Sequence, residues 1–546
     1  MTTRRKVIEI VGAAAASVAF PEITRAQRSR NDRGKALDHV VVLMFENRSF
    51  DNLLGRLYAP GEVKSFEGVI GKDLKNPIPE WAEQGAERKF VPYGVSPTMN
   101  TPQPDPGEEY PHINTDLFGT LDPKNRFMPL ERMVAPYNAP SDPRQQPTMD
   151  GFVMDYISAF TAEMKRQPTY DEYARIMTGY TPEQMPVTSA LARGFAVFDH
   201  WFCEVPSQTF TNRSFFHAGT ASGFVVNMSP PDSFPLRNKA ETLFERLEAK
   251  GLTWRVYCDS PSPASFTGII HASRLRNRFA TNFSTVADFL DDARRGRLPT
   301  YSFIEPNLWH GHNDMHPPIS ALLHGVPYDP PSSLLGGDAL LASVYDAVRS
   351  SSSPRGSNYL NTFLLVTFDE SGGTYDHVPP PPAVPPTRSA PAGQMGFTFN
   401  RSGARVPAIA VSAWVPERTV VNDEYRHTAL IQTLRKRWSL GRPLTARDAS
   451  APDLAPVLSL DQPRAPEQWP EVTPRPVPKF DVALLPPDLP LSPLGKALVH
   501  SMLAFEKALG AAVPPVSPDA NLTGAEAIAM LRDDAFKLFP GLRTTS

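Results

Sequence analysis

Three runs of residues constrain this chain more than anything else in it. They are Val40-Val41-Val42-Leu43-Met44-Phe45, Thr362-Phe363-Leu364-Leu365-Val366-Thr367-Phe368 and Ala408-Ile409-Ala410-Val411-Ser412-Ala413-Trp414-Val415. All are rich in β-branched and aromatic side chains, and none alternates with polar residues. A strand with one face in water must alternate, so these runs predict strands buried on both faces, as in a parallel sheet covered by helices. Residues 339–349 and 427–438 carry apolar side chains at helical spacing. The predicted class is α/β with a central, mostly parallel sheet flanked by helices. A chain of 546 residues, 41% of them hydrophobic, can fill the core of one large domain or two smaller ones.

Proline sets the character of the rest. Its 59 occurrences are about twice the usual share, so long irregular loops must lie over the scaffold. Residues 56–148 read as an excursion across the sheet edge, and 378–396 as a second Pro-rich loop. Beyond about residue 450 the chain turns extended and Pro-bearing, then helical near 494–511 and 523–538; residues 451–546 are expected to form an extension packed on the main domain. At the other end, Thr3-Arg4-Arg5-Lys6-Val7-Ile8 resembles a twin-arginine export motif and precedes a short run of small and apolar residues. That run is too short to span a bilayer. Residues 1–27 are therefore expected to be a signal segment, cut near Ala26, that directs the chain through the twin-arginine machinery to a periplasmic or secreted location. The formal net charge of -3 gives no nucleic-acid footprint. Cys203 and Cys258 are the two cysteines, and either a disulfide or two buried thiols fits them.

The chemistry begins where the strands end. Ligands in open α/β sheets sit beyond the carboxyl ends of the strands. There the first run delivers Glu46-Asn47, and the second delivers Asp369-Glu370 followed by Ser371-Gly372-Gly373. If the strands are neighbours, three carboxylates and an amide oxygen converge, a set that repels itself unless a cation compensates. Oxygen-only ligands suit a hard divalent cation. Read singly, Glu46 or Asp369 is a helix cap; the two pairs together point to a metal. The stretch PSQTFTNRSFFHAGT (206–220) places Thr209, Asn212 and Arg213 in a turn. A hydroxyl beside a metal can serve as a nucleophile, and Ser207 and Thr209 both qualify. His112 lies in EEYPHIN, and His310, His312 and His316 in LWHGHNDMHPP. Histidine suits acid catalysis at a phosphoryl leaving group. The alternative for the triple-histidine loop is zinc, although Gly311 and Pro317 deny it a helical frame. His377, close behind Asp369-Glu370, is either a supporting or a structural residue.

ENRSFDNLLG, MDGF (149–152), TxxNR (209–213), DMHPP, FDESGGTYDHVPPP and RVPAIAVS stand in order across roughly residues 38–450. Together they resemble the bacterial phospholipase C and acid phosphatase family of phosphoesterases. The resemblance implies an alkaline-phosphatase-like fold over a catalytic domain at 38–450, and a hydroxyl nucleophile bound to one divalent metal, of Ca, Mg, Mn or Zn type. By motif, Glu46, Asn47, Asp369 and Glu370 would bind the metal. Thr209 would be the nucleophile and touch the metal, and Asn47, His112 and His316 would contact the phosphoryl group. The implied substrates are phosphate esters or phospholipids, with transient contact to a membrane surface. Thr211 stands where the family has proline, which predicts a looser turn with a second hydroxyl.

Three other readings compete. A serine hydrolase needs a G-x-S-x-G elbow, which the sequence lacks, and a sulfatase needs a C/S-x-P-x-R motif, which Cys258-Asp259-Ser260-Pro261 does not fit. An exported, non-catalytic phosphate- or lipid-binding protein would bind metal without turnover. Phe210, Phe215, Phe216 and Trp201 flank the candidate nucleophile, either as a lipid-facing surface or as core.

Overall fold

A computed structural model describes residues 33–227, 234–259, 264–308, 312–318, 321–323, 326–328, 333–387, 389, 391–478, 493–508 and 538–542. The signal segment, His310 and the helix expected near 523–538 lie outside these residues, apart from residue 538.

Eight strands form the central sheet: β1 (His39–Phe45), β2 (Ala196–Phe198), β3 (Trp254–Cys258), β4 (Phe283–Thr285), β5 (Tyr301–Glu305), β6 (Thr362–Phe368), β7 (Ala408–Val411) and β8 (Thr419–Val421). Their order is β8-β2-β7-β6-β1-β5-β3-β4. β1 lies in the middle, parallel to β5 on one side and to β6 on the other. Residues 40–45 are at most 1% exposed, which is why the first run carries no polar position. β3 and β4 continue the parallel half. The third run departs from expectation: only Ala408–Val411 is strand, and it runs antiparallel to both β6 and β2. Residues 412–415 leave the ladder in a turn closed by the Val415 N–H on the Ser412 carbonyl.

Among the helices are α1 (Phe50–Leu53), α2 (Tyr110–Phe118), α3 (Phe152–Met164), α4 (Thr209–Ala218), α5 (Ser333–Arg349), α6 (Ala429–Trp438) and α7 (Pro493–Ala508). The long excursion is more than a covering loop. α2 and α3 pack together, and Ile113, Leu117, Phe152, Val153, Tyr156 and Phe160 form the centre of a second apolar cluster beside the sheet. Residues after 450 also meet the sheet domain: Trp469 packs edge-on to Phe195, and Phe539 stacks on Phe279 at 4.1 Å. Cys203 and Cys258 are both free and buried, so the disulfide alternative falls. Each thiol is pushed well up, first by burial and then by nearby carboxylates.

Two of the buried histidines sit together in the core. His217 and His271 are fully buried near Tyr301, whose hydroxyl meets His217 Nε2 at 2.9 Å. Among the described residues, neither nitrogen of His271 has a hydrogen-bond partner. Burial pushes His271 down to about 3; burial, then the neighbouring His271 and Arg213, push His217 well down. The unfolded chain thus takes up protons that the native state refuses. The stability these groups contribute is complete above about pH 6.5 and declines as pH falls below it. Two such histidines should together cost about 4 kcal/mol between neutral pH and pH 5. Denaturant unfolding at the two pH values measures this; equal stabilities would contradict it.

Candidate active site

Parallel pairing of β1 with β6 aligns Phe45 with Phe368, so Glu46 and Asp369 leave adjacent strand ends side by side. The Asp369 N–H donates to the Phe45 carbonyl at 3.1 Å, and the Asn47 N–H donates to Asp369 Oδ1 at 3.2 Å. Asn47 holds a left-handed backbone, φ 56°, which asparagine tolerates better than most residues. The ESGG turn closes over it. A Cβ at Gly372 would stand 2.6 Å from the Asn47 carbonyl oxygen, and the φ of 58° there also favours glycine. Neither Glu46 nor Asp369 caps a helix; Ser49 caps α1.

Thr209 is the first residue of α4 rather than part of a turn. Asn212 fixes the segment before it. Its Oδ1 accepts from the N–H groups of Glu204 and Val205, and its Nδ2 donates to the Ser207 carbonyl at 2.7 Å. The structure separates the candidate hydroxyls. Ser207 Oγ donates to the Val225 carbonyl at 2.6 Å and Thr211 Oγ1 to the Phe224 carbonyl, whereas Thr209 Oγ1 points at Glu46 Oε2, 3.4 Å away. Thr211 therefore brings neither a looser turn nor a free second hydroxyl. Phe210, Phe215, Phe216 and Trp201 are all fully buried, so they are core and not a lipid-facing surface.

The same helix sends Arg213 between the two strand ends. It pairs with Glu46 through Nη2 and with Asp369 Oδ2 through Nε at 3.1 Å, all three side chains being fully buried. Its charge falls short of the local demand. Burial raises Glu46 well above the usual carboxylate range; Arg213 opposes this, while Asp369, Asp314 and Glu108 add to it. Glu370 is raised well too, by burial and then by Glu108, Asp369 and Glu46. Two oxygens in this surplus of acid, Asn47 Oδ1 and Glu370 Oε1, are buried with no hydrogen-bond partner among the described residues. Unpartnered buried oxygens amid excess negative charge are the signature of a cation-binding pocket. The residues present thus fit a hard divalent ion.

Two acids join this pocket that the sequence does not disclose. Glu108 receives the Asn47 Nδ2 donor and, at 3.0 Å, Gln208 Nε2. Burial, then Glu109, raises Glu108 to about 8. Asp105 lies 3.7 Å from His316 Nε2, and Glu108 lies 3.8 Å from it. Asp105, Glu108 and His316 converge closely enough to share an ion. The group Asp51, Asp376 and His377 does so too, but Arg405 already neutralises it through Asp51 and Asp376. His377 is therefore structural, bonded through Nδ1 to Asp51.

The histidines divide. His316 turns Nδ1 toward the Pro317 carbonyl at 2.8 Å and Nε2 toward Asn47 Nδ2 at 2.9 Å, an arrangement that suits a neutral ring with its proton on Nδ1. His312 pairs with Asp314 at 2.8 Å. No candidate ion group among the described residues contains both His312 and His316, and His310, the third histidine of the zinc alternative, lies outside them. His112 lies on α2, its Nδ1 2.9 Å from Asp155 Oδ1. Burial pulls its pKa down, but Asp155, Glu109 and Glu108 outweigh that and raise it to about 9.

A family model described as Phosphoesterase family matches residues 37–441. Non-specific phospholipase C6 of Arabidopsis thaliana is 30% identical over 474 residues, covering 82% of this chain and 77% of the relative. Phospholipase C A of Mycobacterium tuberculosis (strain CDC 1551 / Oshkosh) is 24% identical over 502 residues, covering 85% and 86%. Among solved structures, a protein in the alkaline phosphatase superfamily from Vibrio parahaemolyticus aligns at a TM-score of 0.29 and 11% identity, over 50% of this chain and 65% of that one.

Proposed function

The chain belongs to the phosphoesterase family, and from that premise we propose that it hydrolyses phosphate esters by phospholipase C-type cleavage, with Thr209 as the attacking residue. One observation carries the assignment. Thr209 Oγ1 is the candidate hydroxyl directed at Glu46, in a pocket where Glu46, Asp369, Glu370 and Glu108 gather about Arg213. Glu46, Asn47, Thr209, Asp369 and Glu370 would hold one divalent cation. Bound there, it supplies Lewis-acid stabilisation of charge on the phosphoryl oxygens. The chain's own residues do the rest. Asn47 and His316, in contact with one another, orient a phosphoryl oxygen. Thr209 Oγ1 gives its proton to Glu46 Oε2, toward which it points, and forms a bond to phosphorus as the bond to the leaving alcohol breaks. His112, protonated at neutral pH, gives its proton to that alcohol. Water then attacks phosphorus, passing one proton back to His112, and the P–Oγ1 bond breaks as Oγ1 recovers its proton from Glu46. Burial of the acids and of Thr209 places this exchange in a low-dielectric site, where positioned charge counts most.

Export by the twin-arginine route belongs to the same proposal and rests on Arg4-Arg5 and the apolar run behind them. No helix among the described residues is long and apolar enough to cross a membrane.

Product analysis tests the reading. The mature protein, supplied with divalent cations, is incubated with phosphatidylcholine vesicles and, separately, with a soluble phosphomonoester. Diacylglycerol with phosphocholine is the expected result. Inorganic phosphate from the monoester, with the lipid intact, would replace it with a phosphatase. Metal binding without any product would leave a binding protein.

A further inference from the structure

His112 is held by more than the helix that carries it. Asp155, on α3, presents both carboxylate oxygens to the ring, Oδ1 at 2.9 Å and Oδ2 at 3.0 Å from Nδ1. Asp155 is 2% exposed and His112 is 6% exposed. The ring fills space kept open by Gly107, where a Cβ would overlap it. Other acids face the imidazole. Glu109 Oε2 lies 3.9 Å from Nε2, Glu108 precedes it in the same loop, and Asp116 follows one helical turn along α2. Asp116 is placed differently from Asp155. Burial, then the charge of Asp155, raises it well above the usual carboxylate range, and its Oδ2 has no hydrogen-bond partner among the described residues.

Resting on the role given to His112 above, we propose that Asp155 is its positioning residue. It takes the Nδ1–H, fixes the ring plane, and leaves Nε2 as the nitrogen that gives its proton to the leaving alcohol. A carboxylate behind a catalytic imidazole sets both tautomer and orientation. Asp116, one helical turn further along α2, contributes to neither.

The test is a side-chain NMR titration of histidine-labelled full-length protein, paired with kinetics. In the unmodified protein His112 is expected to titrate near 9. In Asp155→Asn its midpoint should fall by about two units, and kcat by about 100-fold or more with little change in KM. Asp155→Glu should restore part of both. Asp116→Asn, the matched control on the helix that carries His112, should leave both as they were. An Asp155→Asn protein with unchanged His112 titration and unchanged kcat would overturn the proposal. So would an Asp116→Asn protein that shifts both as far. The titration needs no turnover: if the phosphoesterase reading failed, the unmodified protein would be inactive while His112 still moved with Asp155.

Discussion

Replacing Thr209 by alanine is expected to lower kcat by about 10⁴- to 10⁶-fold, the range seen when a nucleophile is removed from a site that keeps its remaining groups. The fold should survive. Thr209 occupies the first position of α4, where alanine is well accepted, and its side-chain hydrogen bond to Glu46 is long at 3.4 Å. The turn before it is fastened by Asn212, not by Thr209. Circular dichroism and the unfolding midpoint should therefore match the unmodified protein while turnover disappears. Ser207→Ala is the matched control, since that hydroxyl is spent on the Val225 carbonyl. Loss of activity in Ser207→Ala with full activity in Thr209→Ala would reverse the assignment.

The second large effect concerns Arg213. It is the fully buried cation paired with both Glu46 and Asp369. Arg213→Met would leave two carboxylates in a dry pocket with no guanidinium. Breaking a buried pair on one side costs about 3–5 kcal/mol. If these carboxylates are also ligands, the loss should depend on metal: severe in chelator, and partly restored by saturating divalent cation. Denaturant unfolding of the variant in the two conditions measures it. A loss of the same size in both would separate Arg213 from the cation pocket. A variant as stable as the parent would show that the acids are held neutral.

The parts of this site that are legible in the sequence share a cause. A strand buried on both faces cannot alternate, so β1 and β6 announce themselves, and the first polar residues after them must lie at the sheet edge. Glu46, Asn47, Asp369 and Glu370 stand out for that reason, and the Phe45–Phe368 register makes them neighbours. The hidden parts depend on long-range closure. Asp105 and Glu108 come from a Pro- and Gly-rich loop with no periodicity, and only the folded excursion brings them to Asn47 and His316. The acids flanking His112 in EEYPHIN are the available signal for Glu108; nothing local marks Asp155. Thr209 reads as a turn residue because Pro206 and Ser207 precede it, while the residue before the helix is Gln208, whose side chain goes to Glu108 and not to a cap. Strand direction leaves no trace in composition, which is why the third run is not recognisable as antiparallel.

Trapping the enzyme in mid-reaction tests the central claim most directly. The protein is mixed with phosphatidylcholine, quenched in acid within its first turnovers, digested and examined by mass spectrometry. A phosphocholine adduct on the peptide carrying Thr209, absent from the Thr209→Ala protein, is the predicted result. Steady release of diacylglycerol with Thr209 never modified, or with the adduct on another residue, would contradict the account.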